Sequence, residues 1–88
     1  MADNQDNLDV EVFWAPVSDK EKFEGKAKAV SSKNKVGEFD ILPNHANFIS
    51  LIFNSLTVYT TQDEEKTYDF SRGVLEVANG EVRIFLEV

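Results

Sequence analysis

Cysteine is absent from the 88-residue sequence, and histidine, methionine and tryptophan occur once each. Without thiols there is no disulfide and no thiolate metal site. One imidazole, His45, is too few for a closed zinc centre built from the usual ligand sets. It is also the only imidazole available to activate a nucleophile, and no nucleophile–base constellation accompanies it. No Gly-x-Gly-x-x-Gly or Gly-Lys-Ser/Thr loop is present, which removes the phosphate cradle. Apolar runs end after a few residues, far below the ~20 that span a bilayer. Met1-Ala2-Asp3-Asn4-Gln5-Asp6 lacks the basic-then-apolar order of a signal peptide. Bases are also scarce, with Lys plus Arg at 9 against 16 Asp plus Glu and a net charge of −7. A chain of this length buries only roughly 60–65% of its unfolded surface, so its core is marginal unless assisted. The expectation is one soluble, acidic, non-catalytic domain over residues 8–88, needing no cofactor or metal, after a disordered segment at 1–7.

What is present is unevenly charged. Residues 1–19 hold five acids and no base, whereas 20–35 hold six lysines against Glu21 and Glu24, a local +4. The remainder is again acidic. A nucleic-acid reading would turn the lysines toward phosphates. Only one aromatic, Phe23, lies among them, and the rest of the chain repels phosphate, so a solvated strand face accounts for them better. Asp63-Glu64-Glu65 is a carboxylate cluster in a hairpin loop, where solvation explains it better than acid–base work or calcium.

Apolar residues recur with a period of two. Leu8-Asp9-Val10-Glu11-Val12 alternates cleanly, and Phe23 to Val30 repeats the pattern with lysines outward. Pro16 and the charged run Ser18–Lys22 read as the turn between them. Lys33-Asn34-Lys35 is a second turn, and Val36–Leu42 a strand stopped at Pro43, which has no N–H for a ladder. Phe48–Phe53 suits either a buried strand or a short apolar helix, which periodicity alone does not separate. Asn54-Ser55 reads as a turn before the β-branched and aromatic strand Leu56–Thr61, and Thr67–Phe70 returns after the acidic loop. Short strands at near-regular spacing, with turn signals between them, predict an all-β sandwich or barrel.

The last hairpin is specified most tightly. Val74–Ala78 and Glu81–Phe85 flank Asn79-Gly80, the preferred pair for a two-residue type I′ turn. That turn sets Ala78 opposite Glu81, then Val77 opposite Val82 and Leu75 opposite Ile84 on the core face. Glu76 then opposes Arg83, Val74 opposes Phe85 and Arg72 opposes Glu87 on the other face. Val74 with Phe85 is either ordinary exposed apolar surface or a patch that faces a partner.

Gly37-Glu38-Phe39-Asp40-Ile41-Leu42-Pro43-Asn44-His45-Ala46 resembles the Gly-Glu-x-x-Ile-x-Pro-x-His-Ala segment of the epsilon subunit of F-type ATP synthases. Phe23-Glu24-Gly25 is similar to that family's Phe-Ser-Gly upstream. Ser71-Arg72-Gly73-Val74-Leu75-Glu76-Val77 resembles its Ser-Gly-Gly-x-Leu-Glu-Val, and Asn79–Phe85 takes the place of its final hairpin. The four segments stand in order at compatible spacing and extend from about Leu8 to Val88.

The resemblance implies the family's N-terminal domain, an all-β, two-sheet β-sandwich of short antiparallel strands, with Phe48–Phe53 as strand. It implies a non-catalytic central-stalk subunit that binds the gamma subunit and the c-ring and couples proton transport to ATP synthesis. Its implied location is peripheral, at the cytoplasmic face of the membrane within the complex. The implied contact residues are Glu38, Asp40, Pro43, Asn44 and His45, followed by Phe48 and Ser50 on the gamma side. Read on its own residues, His45 serves equally as a histidine that orders its own loop, and Glu38 as a solvated strand end.

Departures from the family pattern carry expectations too. Asn44 stands where the family has Gly, and Asn tolerates φ > 0 well enough to keep the turn. Asn47 replaces a proline and is expected to loosen the loop. Asn54-Ser55 replaces a Pro-Gly turn, and Pro16–Phe23 is about two residues longer. The sequence carries no counterpart of the family's C-terminal helical hairpin, so inhibitory and nucleotide-binding roles are not assigned. The alternative function is a free-standing recognition module that holds a peptide or carbohydrate on a row of Trp14, Tyr59 and Tyr68. Trp14 is otherwise a core or edge aromatic.

Overall fold

In the computed structural model, which describes residues 7–15 and 22–87, the alternating segments become six strands. They are β1 (Leu8–Ala15), β2 (Phe23–Lys33), β3 (Glu38–Ile41), β4 (Phe48–Thr60), β5 (Glu65–Ala78) and β6 (Glu81–Glu87). Residues 1–6 of the segment expected to be disordered, residues 16–21 of the turn expected at Pro16 and Ser18–Lys22, and residue 88 lie outside the described residues. Alternation decides which face is buried. Leu8, Val10, Val12 and Trp14 of β1 point inward, as do Val82, Ile84 and Leu86 of β6.

Neighbouring strands run β1-β6-β5-β4-β2-β3, and β1 pairs with β2 as well, so five strands close into a circuit. The flattened circuit forms two packed layers around one core, as expected for a β-sandwich. One pairing departs from the antiparallel expectation, since β1 and β6 run parallel from Asp9↔Glu81 to Ala15↔Glu87. β2 divides its free edge between two partners. Its Phe23–Ala27 half pairs with β1, and its Val30–Lys33 half pairs with β3.

Two long strands replace the several short ones read from the sequence. Asn54-Ser55 is not a turn, because β4 runs through it and pairs with β5 from Phe48↔Val77 to Tyr59↔Glu65. At that point Phe53 opposes Arg72 while Asn54 opposes Phe70, which makes Ser71 an inserted residue. Asn54 takes φ 76° there. A bulge of this kind bends the strand and re-aims the side chains that follow. Tyr68 and Phe70 on one side of it and Leu75 and Val77 on the other therefore all reach the core, although they sit on opposite parities. A second irregularity falls between Ala27 and Ala29 of β2, which oppose Thr60 and Tyr59 of β4, so that Lys28 is the additional residue.

 Ala27 and Val30 stay buried on either side of Lys28 for the same reason, and there β2 passes from β1 to β3.

The terminal hairpin has the register that the Asn79-Gly80 turn dictates, from Ala78↔Glu81 to Arg72↔Glu87. Both turn residues have positive φ, 54° and 83°, as a type I′ turn demands. Val77, Val82, Leu75 and Ile84 are fully buried between the layers, each contributing roughly 1.5–3 kcal/mol of transfer free energy. Phe48–Phe53 lies in β4, so the segment that suited helix or strand equally is strand. The strand expected over Val36–Leu42 shortens to Glu38–Ile41, because Asn34 and Gly37 close a turn on each other and leave Val36 96% exposed.

Trp14 and Tyr68 are core residues, 8% and 6% exposed, with their rings edge to face at 6.3 Å. Tyr59 is half-buried elsewhere on β4. The aromatic row required by the alternative recognition module is therefore not an exposed surface.

Candidate partner-binding surface

The loop between β3 and β4 is built by its own short-range bonds. His45 N–H donates to the Leu42 carbonyl at 3.1 Å, and Asn44 holds φ 70°. With Pro43 before it, this is the pattern of a type II turn, and Asn44 meets the positive-φ requirement that the sequence assigned to it. The His45 ring is placed by two contacts. Its Nδ1 lies 2.7 Å from the Ala46 carbonyl, and its edge meets Phe48 at 5.5 Å. A carbonyl only accepts, so Nδ1 carries the proton, and in the neutral ring Nε2 is the acceptor. Phe48 in turn packs edge-on against Phe39 at 5.6 Å, and both border the core.

The remaining expected contact residues divide between two other places. Glu38 and Asp40 are exposed on β3, where Asp40 accepts a hydrogen bond from the Ser31 hydroxyl at 2.5 Å. They line a polar groove with Lys33, Thr57 and Tyr59. Ser50 is half-buried and belongs to neither group. Its hydroxyl donates to the Leu51 carbonyl at 2.9 Å and accepts from the Asn34 carboxamide at 3.3 Å. Asn34 Oδ1 accepts from the backbone of Val36 and Gly37, so Ser50 supports the β2–β3 turn. The structure thus gathers Pro43, Asn44, His45 and Phe48, sets Glu38 and Asp40 apart from them, and gives Ser50 an internal partner.

A larger feature crosses the strands themselves. Phe13 pairs with Phe85, Phe85 with Val74, and Val74 with Leu51, which draws one apolar row across β1, β6, β5 and β4. Phe13 and Phe85 stack at 5.2 Å with rings 16° apart. Phe85 is 45% exposed, Leu51 56%, and neighbouring Ile49 67%. Charged rows flank it on either side. On one side Glu11, Arg83 and Glu76 are in register, with Arg83 Nε 3.8 Å from Glu11. On the other Arg72 Nε bonds Glu87 at 2.6 Å, and that bond and its charge raise the guanidinium pKa further. Sequence reasoning found Val74 and Phe85 but missed Phe13, Leu51 and Ile49. The missing signal was the neighbour of each strand, since β1 lies beside β6 through a pairing 72 positions apart (Asp9↔Glu81).

Among the described residues of the lysine stripe, Lys22, Lys26, Lys28 and Lys35 are exposed, as expected of a solvated face. Lys26 bonds Asp9 at 2.8 Å and Lys28 bonds Asp63 at 2.6 Å. These pairs set two of the six lysines against the chain's own acids.

Such a closed β-sandwich, with paired surface charge, an ordered loop and one exposed apolar row, has the anatomy of an assembly module. The model described as "ATP synthase, Delta/Epsilon chain, beta-sandwich domain" matches residues 17–88, and the chain belongs to that family. Among similar proteins are the ATP synthase epsilon chains of two Clostridium botulinum strains. Eklund 17B / Type B is 36% identical over 70 residues, covering 78% of this chain and 52% of the relative. Alaska E43 / Type E3 is 33% identical over 70 residues with the same coverage. The chain thus spans about half the length of the curated relatives it matches. A chain in the Euglena gracilis mitochondrial ATP synthase structure (OSCP/F1/c-ring) superposes with a TM-score of 0.80 at 16% identity, covering 97% of this chain and 53% of that one. A chain in the Tetrahymena thermophila mitochondrial ATP synthase central stalk/c-ring structure gives 0.72 at 11% identity, covering 98% and 67%. At such identities these two likenesses show the fold. The family and the β-sandwich expected from the resemblance both hold.

Proposed function

We propose that this chain is a non-catalytic central-stalk subunit of a rotary F-type ATP synthase, binding the gamma subunit and the c-ring. In that role it couples proton transport to ATP synthesis by transmitting rotation, and it sits peripherally on the F1 side of the membrane. Membership of the delta/epsilon family over residues 17–88 is the observation that carries the reading. The surface supplies two unlike contacts suited to two partners. The apolar row Phe13–Phe85–Val74–Leu51 fits a protein face that is also apolar, while Glu38 and Asp40 on β3 offer polar groups elsewhere. No helix among the described residues is long and apolar enough to cross a membrane, so the proposed link to the membrane runs through partners.

Co-purification with the cognate gamma subunit tests the reading. The unmodified chain is expected to elute with gamma as a stable pair. Phe85→Glu, at the centre of the row, is expected to weaken binding by at least ~30-fold, the loss typical of an interface hot spot of about 2 kcal/mol. Absence of any complex between the unmodified chain and gamma overturns the proposal.

A further inference from the structure

We infer that Asn47 is a positioning residue, fastening the β3–β4 loop to the tip of the β5–β6 hairpin so that the loop presents a fixed face. The sequence suggested the reverse, since losing a proline at this position removes a rigid element. In the structure the Asn47 carboxamide oxygen accepts a hydrogen bond from the Asn79 backbone N–H at 3.1 Å, across 32 positions of sequence. The anchor is well chosen. Asn79 opens a two-residue type I′ turn whose φ values, 54° and 83°, leave the backbone little freedom, and its own N–H is not part of the β5–β6 register. The same turn is bonded from another side, where Gly80 O accepts from Asp9 N–H at 3.0 Å. The hairpin tip is therefore held by β1 and in turn holds Asn47.

Among the described residues, the other fastenings of the loop are local or apolar. His45 bonds Leu42 and Ala46, each within the loop, and these preserve its shape without fixing its place. Phe48 secures only the end where β4 begins. Asn47 supplies the hydrogen bond that ties the loop to a distant part of the fold, between the anchored Phe48 and the turn at Pro43–His45. A side-chain bond thus does what a ring-restricted φ would otherwise do. The consequence for binding rests on the proposed function, but the positioning itself does not.

Amide hydrogen exchange and ¹⁵N relaxation on the free chain, without any partner, test the inference. Asn47→Ala is expected to speed Asn79 N–H exchange about 5- to 10-fold, as loss of one ordinary hydrogen bond does, and to raise the mobility of Asn44–Ala46. Asn47→Asp retains the acceptor oxygen and is expected to restore both readouts to those of the unmodified chain. Unchanged exchange and relaxation in Asn47→Ala would overturn the inference, as would an Asn47→Asp chain that behaves like Asn47→Ala. Binding to the gamma subunit is then measured separately. A loosened loop with no gamma binding by the unmodified chain leaves the positioning intact and rejects the functional reading instead.

Discussion

Gly73 occupies a space that no side chain shares. A Cβ built there would lie 2.5 Å from the Phe85 carbonyl oxygen and 3.1 Å from a Leu86 methyl. Backbone of a paired strand cannot retreat as a flexible side chain can, so Gly73→Ala must separate β5 from β6. The expected cost is about 1–3 kcal/mol, read as a lower urea midpoint with unchanged slope. The resemblance shows glycine here without a reason, and the reason is this approach between strands. At Asp63 the effect is electrostatic. The hydrogen bond and charge of Lys28 lower its pKa below the ordinary value of 3.8. A carboxylate with a depressed folded pKa contributes stability that is present above the ordinary value and lost as pH falls through the depressed one. Both groups are exposed, so the contribution is small. An NMR titration is expected to place the Asp63 midpoint below that of a free aspartate, and Lys28→Met to return it to the ordinary range. Equal midpoints in the two chains would show that the pair does not form in solution.

At the scale of the element, the bulges convert long strands into a two-layer fold. The alternation around Tyr68 and Phe70 conflicts in parity with that of Leu75 and Val77, and the inserted Ser71 reconciles them. Deleting Ser71 shifts one half of β5 by a single position, which turns that half's apolar set from core to solvent. The expected outcome is loss of the cooperative urea transition, whereas Ser71→Ala retains it. Asn54 supplies the companion test. At φ 76°, Asn54→Gly is expected to be close to neutral and Asn54→Val to cost about 1–2 kcal/mol, the penalty of left-handed backbone for a side chain with a Cβ branch. These elements also show what was legible in advance. The Asn79-Gly80 turn is local, and a two-residue turn determines every pair above it, so the terminal hairpin followed residue by residue. The turn read at Asn54-Ser55 followed equally sound local preferences, because Asn suits positive φ in a bulge as well as in a turn. Only the partner strand distinguishes the two. For the candidate surface, the Pro43–His45 turn was readable from residue type. The inward contact of Ser50 with Asn34 was not, since it depends on where the β2–β3 turn folds.

The whole molecule adds a feature absent at either smaller scale, the placement of unlike surfaces on one closed fold. Closure of β1 onto β2 and β6 removes most free strand edges, and β3, which extends the β2 edge, has only four residues. Edge-to-edge association is thereby restrained, and contact must use strand faces and loops. The apolar row spans four strands, so at ~4.8 Å between neighbours it extends about 14 Å. Of its flanking charges, Arg72 is paired with Glu87 and Arg83 with Glu11. Paired charges attract a partner weakly, and apolar contact is little affected by ionic screening. If this row faces gamma, association should show a negative heat-capacity change. Its affinity should vary by less than about 3-fold between 50 and 500 mM salt. Calorimetry at several temperatures and salt concentrations measures both quantities. Leu51→Asp, at the exposed end of the row, is expected to abolish the heat of binding while leaving the urea midpoint almost unchanged, because Leu51 contributes little to the core. A Leu51→Asp chain that binds with full affinity would instead place the contact elsewhere, and a marked salt dependence would then point to the exposed carboxylates Glu38 and Asp40 of β3.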